Sequence, residues 1–437
     1  MIACIATDTV AIYPTHRSTL LRFIHTSDWH LGQTLHGFER GFEHQCFLDW
    51  LLDTLEAEQV DALLVSGDVF DTANPSAAAQ KQLYRFLQQA KARVPHLHTV
   101  IIAGNHDSPG RLEAPGPLLE TVDATVIGFV PRRPDGVIDV AQLVVPLKDP
   151  QGRVAAWVLA VPFLRPGDVP RVDNSLDPYK DGIALLYTQA LAHAEQLRQP
   201  GQALVALGHC HMVGGQTSSD SERSIVIGGS EALPSGMFDA RVAYAALGHL
   251  HLAQRVGGQD HLRYCGSPVP LSFAEVAYPH QVLRVDLLGD AVNAITPLLV
   301  PRAVDLLRIP ARPGPLPDVL AALKALALPP QTDPQRHPYV EVRVQLDAPE
   351  PGLRSLIEAA LAPHAVRLAK IETSFAASAG PASAATHTSL DALEQLQPNA
   401  VFDQLYRSKY NADTPAALSA AFAELLLADH TGGAGAA

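Results

Sequence analysis

Cysteine is scarce: Cys4, Cys46, Cys210 and Cys265 are the only four in 437 residues. They are widely spaced and form no C-x-x-C pair, which excludes a disulfide framework and a zinc finger and leaves reduced, cytosolic thiols as the simple reading. No apolar stretch approaches the roughly 20 residues needed to span a bilayer. The opening MIACIATDTVAIYPTHRSTLL lacks a basic segment followed by a clean apolar core. A secretory signal is therefore not expected, and the expected location is cytoplasmic. Basic residues are outnumbered as well: 32 Lys and Arg against 45 Asp and Glu give a net charge of −13. That balance argues against a generally basic nucleic-acid binder. It leaves room for DNA if bound cations add positive charge locally or a partner carries the phosphate-binding surface.

Hydrophobic residues make up 47% and charged residues 18% of the chain. This is the composition of a globular protein, and the length predicts two or three domains. From about residue 21 to 280 strands and helices alternate, the α/β pattern. The stretch 43–56 places Phe47, Leu48, Leu51, Leu52 and Leu55 on one helical stripe, and 80–89 reads as a second helix. Buried strands are expected at 61–65, 99–103 and 154–161. Beyond 281 the texture changes. Residues 339–346 alternate apolar and polar, which predicts a small sheet with one buried and one solvated face. Helices at 316–326 and 352–361 and a strand at 366–371 complete a small α+β module. Residues 376–388 are small and polar, a linker composition. Three amphipathic helices are expected after it, at 390–396, 399–409 and 414–427, too narrow in their apolar stripes for an independent domain.

Five apolar runs end in polar clusters: Asp28-Trp29-His30, Gly67-Asp68, Gly104-Asn105-His106-Asp107, Gly208-His209-Cys210-His211 and Gly248-His249-Leu250-His251. All fall at the carboxyl ends of expected strands, where loops of an α/β fold converge on one crevice. In order they supply Asp, His, Asp, Asn, His, His and His, a ligand set for two divalent cations that cleave phosphoesters. Asp68 is the natural bridge, since a carboxylate has lone pairs for both ions and Gly67 permits the turn that exposes it. Carboxylate, amide and imidazole donors without thiolate suit Mn²⁺, and also Fe²⁺, Zn²⁺ or Mg²⁺. Cys210 is expected to be a buried, unliganded thiol, because neighbouring strand residues point to opposite faces. His25, His36, His44, His96 and His98 follow no such order and are read as ordinary surface or satisfied core histidines.

The order D-x-H, G-D-x-x-D, G-N-H-D, G-H and G-H-x-H resembles the calcineurin-like metallophosphoesterase signature. That resemblance implies a sandwich of two central mixed sheets flanked by helices. It implies one metal on Asp28, His30, Asp68 and His251 and the other on Asp68, Asn105, His209 and His249. It casts His106 as the catalytic group that contacts the scissile phosphate and helps the leaving oxygen depart, with Asp107 orienting its ring and Asp71 just outside the ligands. Within G-H-C-H it assigns the ligand to the histidine after glycine, so His211 is expected to be incidental.

The phrases His25-Thr26-Ser27-Asp28-Trp29-His30-Leu31-Gly32, Gly67-Asp68-Val69-Phe70-Asp71-Thr72 and Tyr264-Cys265-Gly266-Ser267-Pro268-Val269-Pro270-Leu271-Ser272-Phe273 are more specific. They resemble the SbcD-type nuclease subunits of bacterial SbcC/SbcD complexes. The likeness divides the chain into an extension at 1–21, a nuclease domain at 22–280, a capping domain at 281–375, the linker, and helices at 389–430 that dock on a partner. It implies an ATP-linked double-strand 3′-to-5′ exonuclease and a single-strand or hairpin endonuclease in DNA repair, recombination and replication. It further implies a homodimer paired with a coiled-coil SbcC-type ATPase. Arg40, Lys81, Arg85 and Arg111 are candidate phosphate contacts, with a solvated helix face the plainer reading. The alternatives are a small-molecule or cyclic-nucleotide phosphodiesterase with the same metals, and a DNA-end tethering scaffold.

Overall fold

A computed structural model describes residues 20–216, 232–348 and 350–375, together with residues 402, 406, 407, 414, 415 and 418. The chain divides into a unit ending at Ala376 and a second beginning at Ala377. The extension before residue 20, the linker at 376–388 and nearly all of the expected C-terminal helices lie outside the described residues.

Two six-stranded sheets form the centre of the first unit. From edge to edge, the first runs Ala291–Leu299, Gln281–Leu288, Leu20–Thr26, Ala62–Ser66, His98–Ile102 and Ala124–Ile127. Its last four strands are mutually parallel and its first two antiparallel. The second runs Gln254–Val256, Gln259–Tyr264, Tyr244–Gly248, Ala203–His209, Val154–Ala160 and Val144–Lys148, with its four central strands parallel. Phe23, Leu64, Val100 and Ile102 of the first sheet pack with Val158, Ala160, Val205, Leu207 and Ala246 of the second. The alternate residues point outward. Ile24, Leu63, Val65 and Ile101 meet the helices Gly41–Ala57 and Ala77–Arg93, while Leu204, Ala206 and Leu159 meet Pro178–Leu197. Both faces of each sheet are thus covered, so the parallel strands read as continuous apolar runs.

The stripe Phe47, Leu48, Leu51, Leu52 and Leu55 is buried as expected. The second helix is longer than its stripe, running Ala77–Arg93, because the Ser76 side chain accepts the Ala79 N–H and Lys91 and Arg93 occupy the last turn. The first strand starts at Leu20, two residues before the expected boundary.

A three-stranded parallel sheet, Leu306–Pro315, Tyr339–Leu346 and Arg367–Phe375, follows, with helices Leu316–Lys324 and Leu353–Leu361 over Val340, Val342 and Val344. The expectation of a solvated second face fails over its first half. Tyr339 and Glu341 are buried too. Tyr339 packs with Leu35 and Phe273 of the preceding domain, and Glu341 is ion-paired across the strands to Arg308 at 2.7 Å and Lys370 at 3.1 Å. Alternation records polarity, and a paired carboxylate placed under a neighbouring domain reads the same as one facing water.

Candidate metal centre

All seven expected ligands lie at or just beyond the C-terminal ends of parallel strands, from both sheets. The turns that expose them are unusual. Asp28, His30 and Asp68 adopt left-handed backbone with φ of 54°, 47° and 49°, and His249 has φ of 104°. Non-glycine residues take such φ values only where the surroundings hold them. Here the loops clamp one another: Asp28 N–H donates to Gly67 O at 3.0 Å, His30 N–H to Asp68 O at 3.0 Å, and Leu31 N–H to Val69 O at 2.9 Å.

Three donor groups result. Asp28, His30 and His251 bring ligand atoms within 4.8 Å of one another, and so do Asp68, His209 and His249, and also His30, Asp71 and His106. Asn105 joins the second, its Oδ1 2.9 Å from His209 Nε2 and 3.2 Å from His249 Nδ1. Asp68 stands between the first two, with Oδ2 3.6 Å from His30 Nε2 and 3.4 Å from His209 Nε2. All seven side chains except Asn105 are buried.

The residues fit divalent cations. His30 Nε2 is buried with no hydrogen-bond partner, while its Nδ1 lies 3.2 Å from Asp71 Oδ1. His209 Nδ1–H donates to Ser66 O at 2.8 Å, which leaves the Nε2 lone pair toward Asp68 and Asn105. His251 Nδ1 lies 2.8 Å from Glu275 Oε1. Burial pushes the Asp28 carboxyl up despite the histidines nearby. Burial also opposes the Asp68 carboxylate, but His209 and His30 outweigh it and hold that group well below the usual range. Burial likewise opposes a charged His209, yet Asp68 carries the ring up to about 9. Carboxylates and imidazoles that share protons in this way release them when a cation takes their place.

His106 and Asp107 do not form the expected pair. The His106 ring donates from Nδ1 to the main-chain carbonyl of Asp71 at 2.7 Å and stacks edge-on to His30, centroids 4.7 Å apart. Asp107 instead accepts the N–H groups of Gly104, Phe70 and Val69 at 2.9, 2.9 and 3.2 Å. It ties the Asp68 loop to the Asn105 loop, and burial with the Asp68 charge raises its carboxyl to about 6 against those bonds. A neighbour in sequence proved a poor guide to what orients the ring, because adjacent residues leave a turn in different directions.

His211 joins none of the three donor groups among the described residues. It lines a narrow apolar slot with Phe163, Leu164, Tyr179 and Cys210. Cys210 is half-buried, and burial raises its thiol to about 12. Lys81, Arg85 and Arg111 are exposed, but Arg40 is only 1% exposed and bound to Glu43, Gln33 and Pro270 O, so it is no phosphate contact. His25 and His44 are core histidines, both with pKa lowered to about 3, first by burial; His25 has hydrogen-bond partners in Tyr244 and Leu247 O, and the His44 ring nitrogens have none. Sequence reasoning missed Glu275 and Ser27, whose Oγ donates to Asp28 Oδ2 at 2.5 Å. The phrase carrying the family likeness stops at Phe273, two residues short of Glu275.

Fold and donor set are those of a calcineurin-like phosphoesterase, and the family model of that description matches residues 21–253. A second model, the type 5 capsule protein repressor C-terminal domain, matches residues 302–410. The SbcD component of the SbcCD nuclease from Rhodobacter capsulatus is 41% identical over 369 residues, 83% of this chain and 90% of that protein. Its Escherichia coli counterpart is 38% identical over 289 residues, 64% of this chain and 68% of the relative. The Bacillus subtilis counterpart is 34% identical over 273 residues, 61% of this chain and 66% of the relative. The chain belongs to the SbcD nuclease subunits of the calcineurin-like phosphoesterases. Among the described residues no helix is long and apolar enough to cross a membrane.

Proposed function

We propose that the chain is the Mn²⁺-dependent nuclease of a two-component machine that trims and nicks DNA ends and hairpins. The observation that carries this is the convergence of Asp28, His30, Asp68, Asn105, His209, His249 and His251 from both sheets around the buried Asp68 carboxylate. Asp28, His30, Asp68 and His251 would hold one cation, and Asp68, Asn105, His209 and His249 the other. When bound, the pair supplies Lewis acidity and neutralises charge at the phosphoryl group. His106, its Nδ1 proton committed to the Asp71 carbonyl, would use Nε2 to contact the scissile phosphate and assist the leaving oxygen. Asp107 serves by holding the two ligand loops together.

The division of labour in the rest of the reading comes from the relatives and the charge. The net charge of −13 favours a partner, a coiled-coil SbcC-type ATPase, as the main DNA grip. Residues 22–280 form the nuclease domain, 281–375 the cap, and 389–430 the segment that docks on the ATPase. The nuclease is a cytoplasmic homodimer within a heterotetramer, and ATP-linked cutting runs 3′ to 5′ on duplex ends.

The test compares a DNA hairpin with bis-p-nitrophenyl phosphate as substrates of the Mn²⁺-loaded protein, with Asp68→Ala as the control. Hairpin cleavage that needs Mn²⁺ and is lost in the control is expected. Hydrolysis of the small ester alone points to a small-molecule phosphodiesterase. DNA binding without cleavage of either points to a tethering scaffold.

A further inference from the structure

A carboxylate with no exposure deep in a protein must be explained by what it holds. Glu275 is such a group, 0% exposed. Its Oε1 lies 2.8 Å from His251 Nδ1, and its Oε2 accepts the Leu271 N–H at 2.8 Å. Accepting the Nδ1–H bond leaves the Nε2 lone pair of His251 for the site it shares with Asp28 and His30, the arrangement by which a carboxylate orients a metal-binding imidazole.

The loop that Glu275 grips is held from its other side. Arg40 Nη1 donates to Pro270 O at 2.5 Å and to Gln33 Oε1 at 3.0 Å, and Gln33 Nε2 donates to Leu271 O at 2.8 Å. Gln33 N–H itself donates to His30 O at 3.0 Å. Arg40 is answered by Glu43, with Nε to Oε1 at 2.9 Å. Glu43 Oε1 also accepts the Tyr339 hydroxyl at 3.0 Å. Tyr339 opens the central strand of the three-stranded sheet, and the Arg367 guanidinium lies 3.8 Å from its ring centroid.

A buried line of polar contacts therefore runs from the three-stranded sheet through Tyr339, Glu43, Arg40 and the loop at Pro270 and Leu271 to Glu275 and His251, with a branch through Gln33 to His30. Both branches end in the Asp28, His30 and His251 group. The other group is held differently: His209 by Ser66 O, and Asn105 by His209 and His249. We propose that Glu275 is the positioning residue for His251, and that this line makes the affinity of the Asp28–His30–His251 site depend on how the three-stranded sheet seats on the phosphoesterase domain. The proposal rests on the two-metal reading above.

Calorimetric titration of the full chain with Mn²⁺ tests it, using Glu275→Ala, Glu275→Gln and Tyr339→Phe. Glu275→Ala should weaken one of the two sites by about 10- to 100-fold, the usual effect of removing a group that orients a ligand, and leave the other within about threefold. Glu275→Gln keeps an oxygen acceptor for the Nδ1 proton and should recover most of that loss. Tyr339→Phe deletes only the hydroxyl at the far end of the line and should weaken the same site about threefold or more, on the order of a single lost hydrogen bond. Two unchanged sites, or two sites equally weakened, in Glu275→Ala would overturn the positioning role, as would a Glu275→Gln protein weakened as much as Glu275→Ala. An unchanged site in Tyr339→Phe would overturn the link to the sheet. If Glu275→Ala does not fold, Glu275→Leu, which fills the space but offers the Nδ1 proton no acceptor, takes its place with the same expected and refuting results. A wild-type chain that binds fewer than two Mn²⁺ overturns the two-metal reading itself, and does so before any substitution is made.

Discussion

Two ligand loops press against each other at Gly104, and a single methyl group tests how much the site depends on that approach. An ideal Cβ on Gly104 would stand 2.1 Å from Asp68 Oδ1 and 2.3 Å from the Asp68 backbone nitrogen. Carbon needs roughly 3.3 Å or more from such atoms, so the deficit is about 1 Å. Rotating a side chain does not relieve it, because one of the two atoms is main chain. The two loops must part, yet they are bound together: Asp68 Oδ1 accepts the His106 N–H at 2.9 Å, and Asp107 bonds Gly104, Val69 and Phe70 at once. Gly104→Ala should therefore cost about 1–3 kcal/mol of stability, the scale of an overpacked core. It should also carry Asp68, Asn105 and His106 out of place by about 1 Å, which lowers turnover by about a hundredfold. Urea unfolding in EDTA reads the first effect, and Mn²⁺ titration with hydrolysis of bis-p-nitrophenyl phosphate reads the second. Gly116→Ala, whose Cβ meets nothing within 4 Å, is the control and should change neither. A Gly104→Ala protein that unfolds at the wild-type urea concentration and turns over within about threefold of wild type refutes the argument.

His209→Ala should lose one Mn²⁺ and most activity while His211→Ala keeps both ions, and calorimetric stoichiometry that gives the reverse would move the ligand two residues along. His106→Ala should retain two ions and DNA affinity but lose at least about a hundredfold in single-turnover rate, the scale of a positioned acid or base; loss of an ion instead makes it a ligand. His44 has a pH signature in stability. Burial, with Arg40 second, lowers its pKa to about 3, and neither ring nitrogen has a hydrogen-bond partner. The unfolded chain takes up that proton below about pH 6.5 and the folded chain does not until about 3, so stability falls as pH drops through this window, by about 2 kcal/mol at pH 5. His44→Leu should lose about that much less than wild type between pH 7.5 and 5 in urea melts with EDTA, and an equal loss in both proteins would show that His44 does not carry the effect.

Much of the metal centre was legible in the linear chain because a parallel α/β architecture confines functional side chains to strand ends. Each strand buries both faces and so announces itself as an apolar run, and the polar residues that break the run mark its C-terminal end. That pattern and their chemical types brought forward Asp28, His30, Asp68, Asn105, His209, His249 and His251 as candidates, and the family resemblance chose His209 over His211 and set His106 apart. The helix Gly41–Ala57 followed from periodicity, as the stripe from Phe47 to Leu55 illustrates, whereas the longest described helix, Pro178–Leu197, was not read from the sequence. Contacts between distant segments carry no such mark. Arg40 looked like a surface cation, and its burial under Pro270 and Gln33 arises only when two loops 230 residues apart meet. Glu341 alternates as a solvated residue does, and only the pairing of its strand with the neighbours that carry Arg308 and Lys370 shows it to be a buried ion pair. Whether Asp107 would serve the His106 ring or the backbone of a neighbouring loop depended on where three N–H groups pointed after folding. Strand periodicity and ligand chemistry are local properties, and the sequence determines them alone. Which carboxylate steadies which histidine is a property of chain segments brought together by the packed core, and only the tertiary structure decides it.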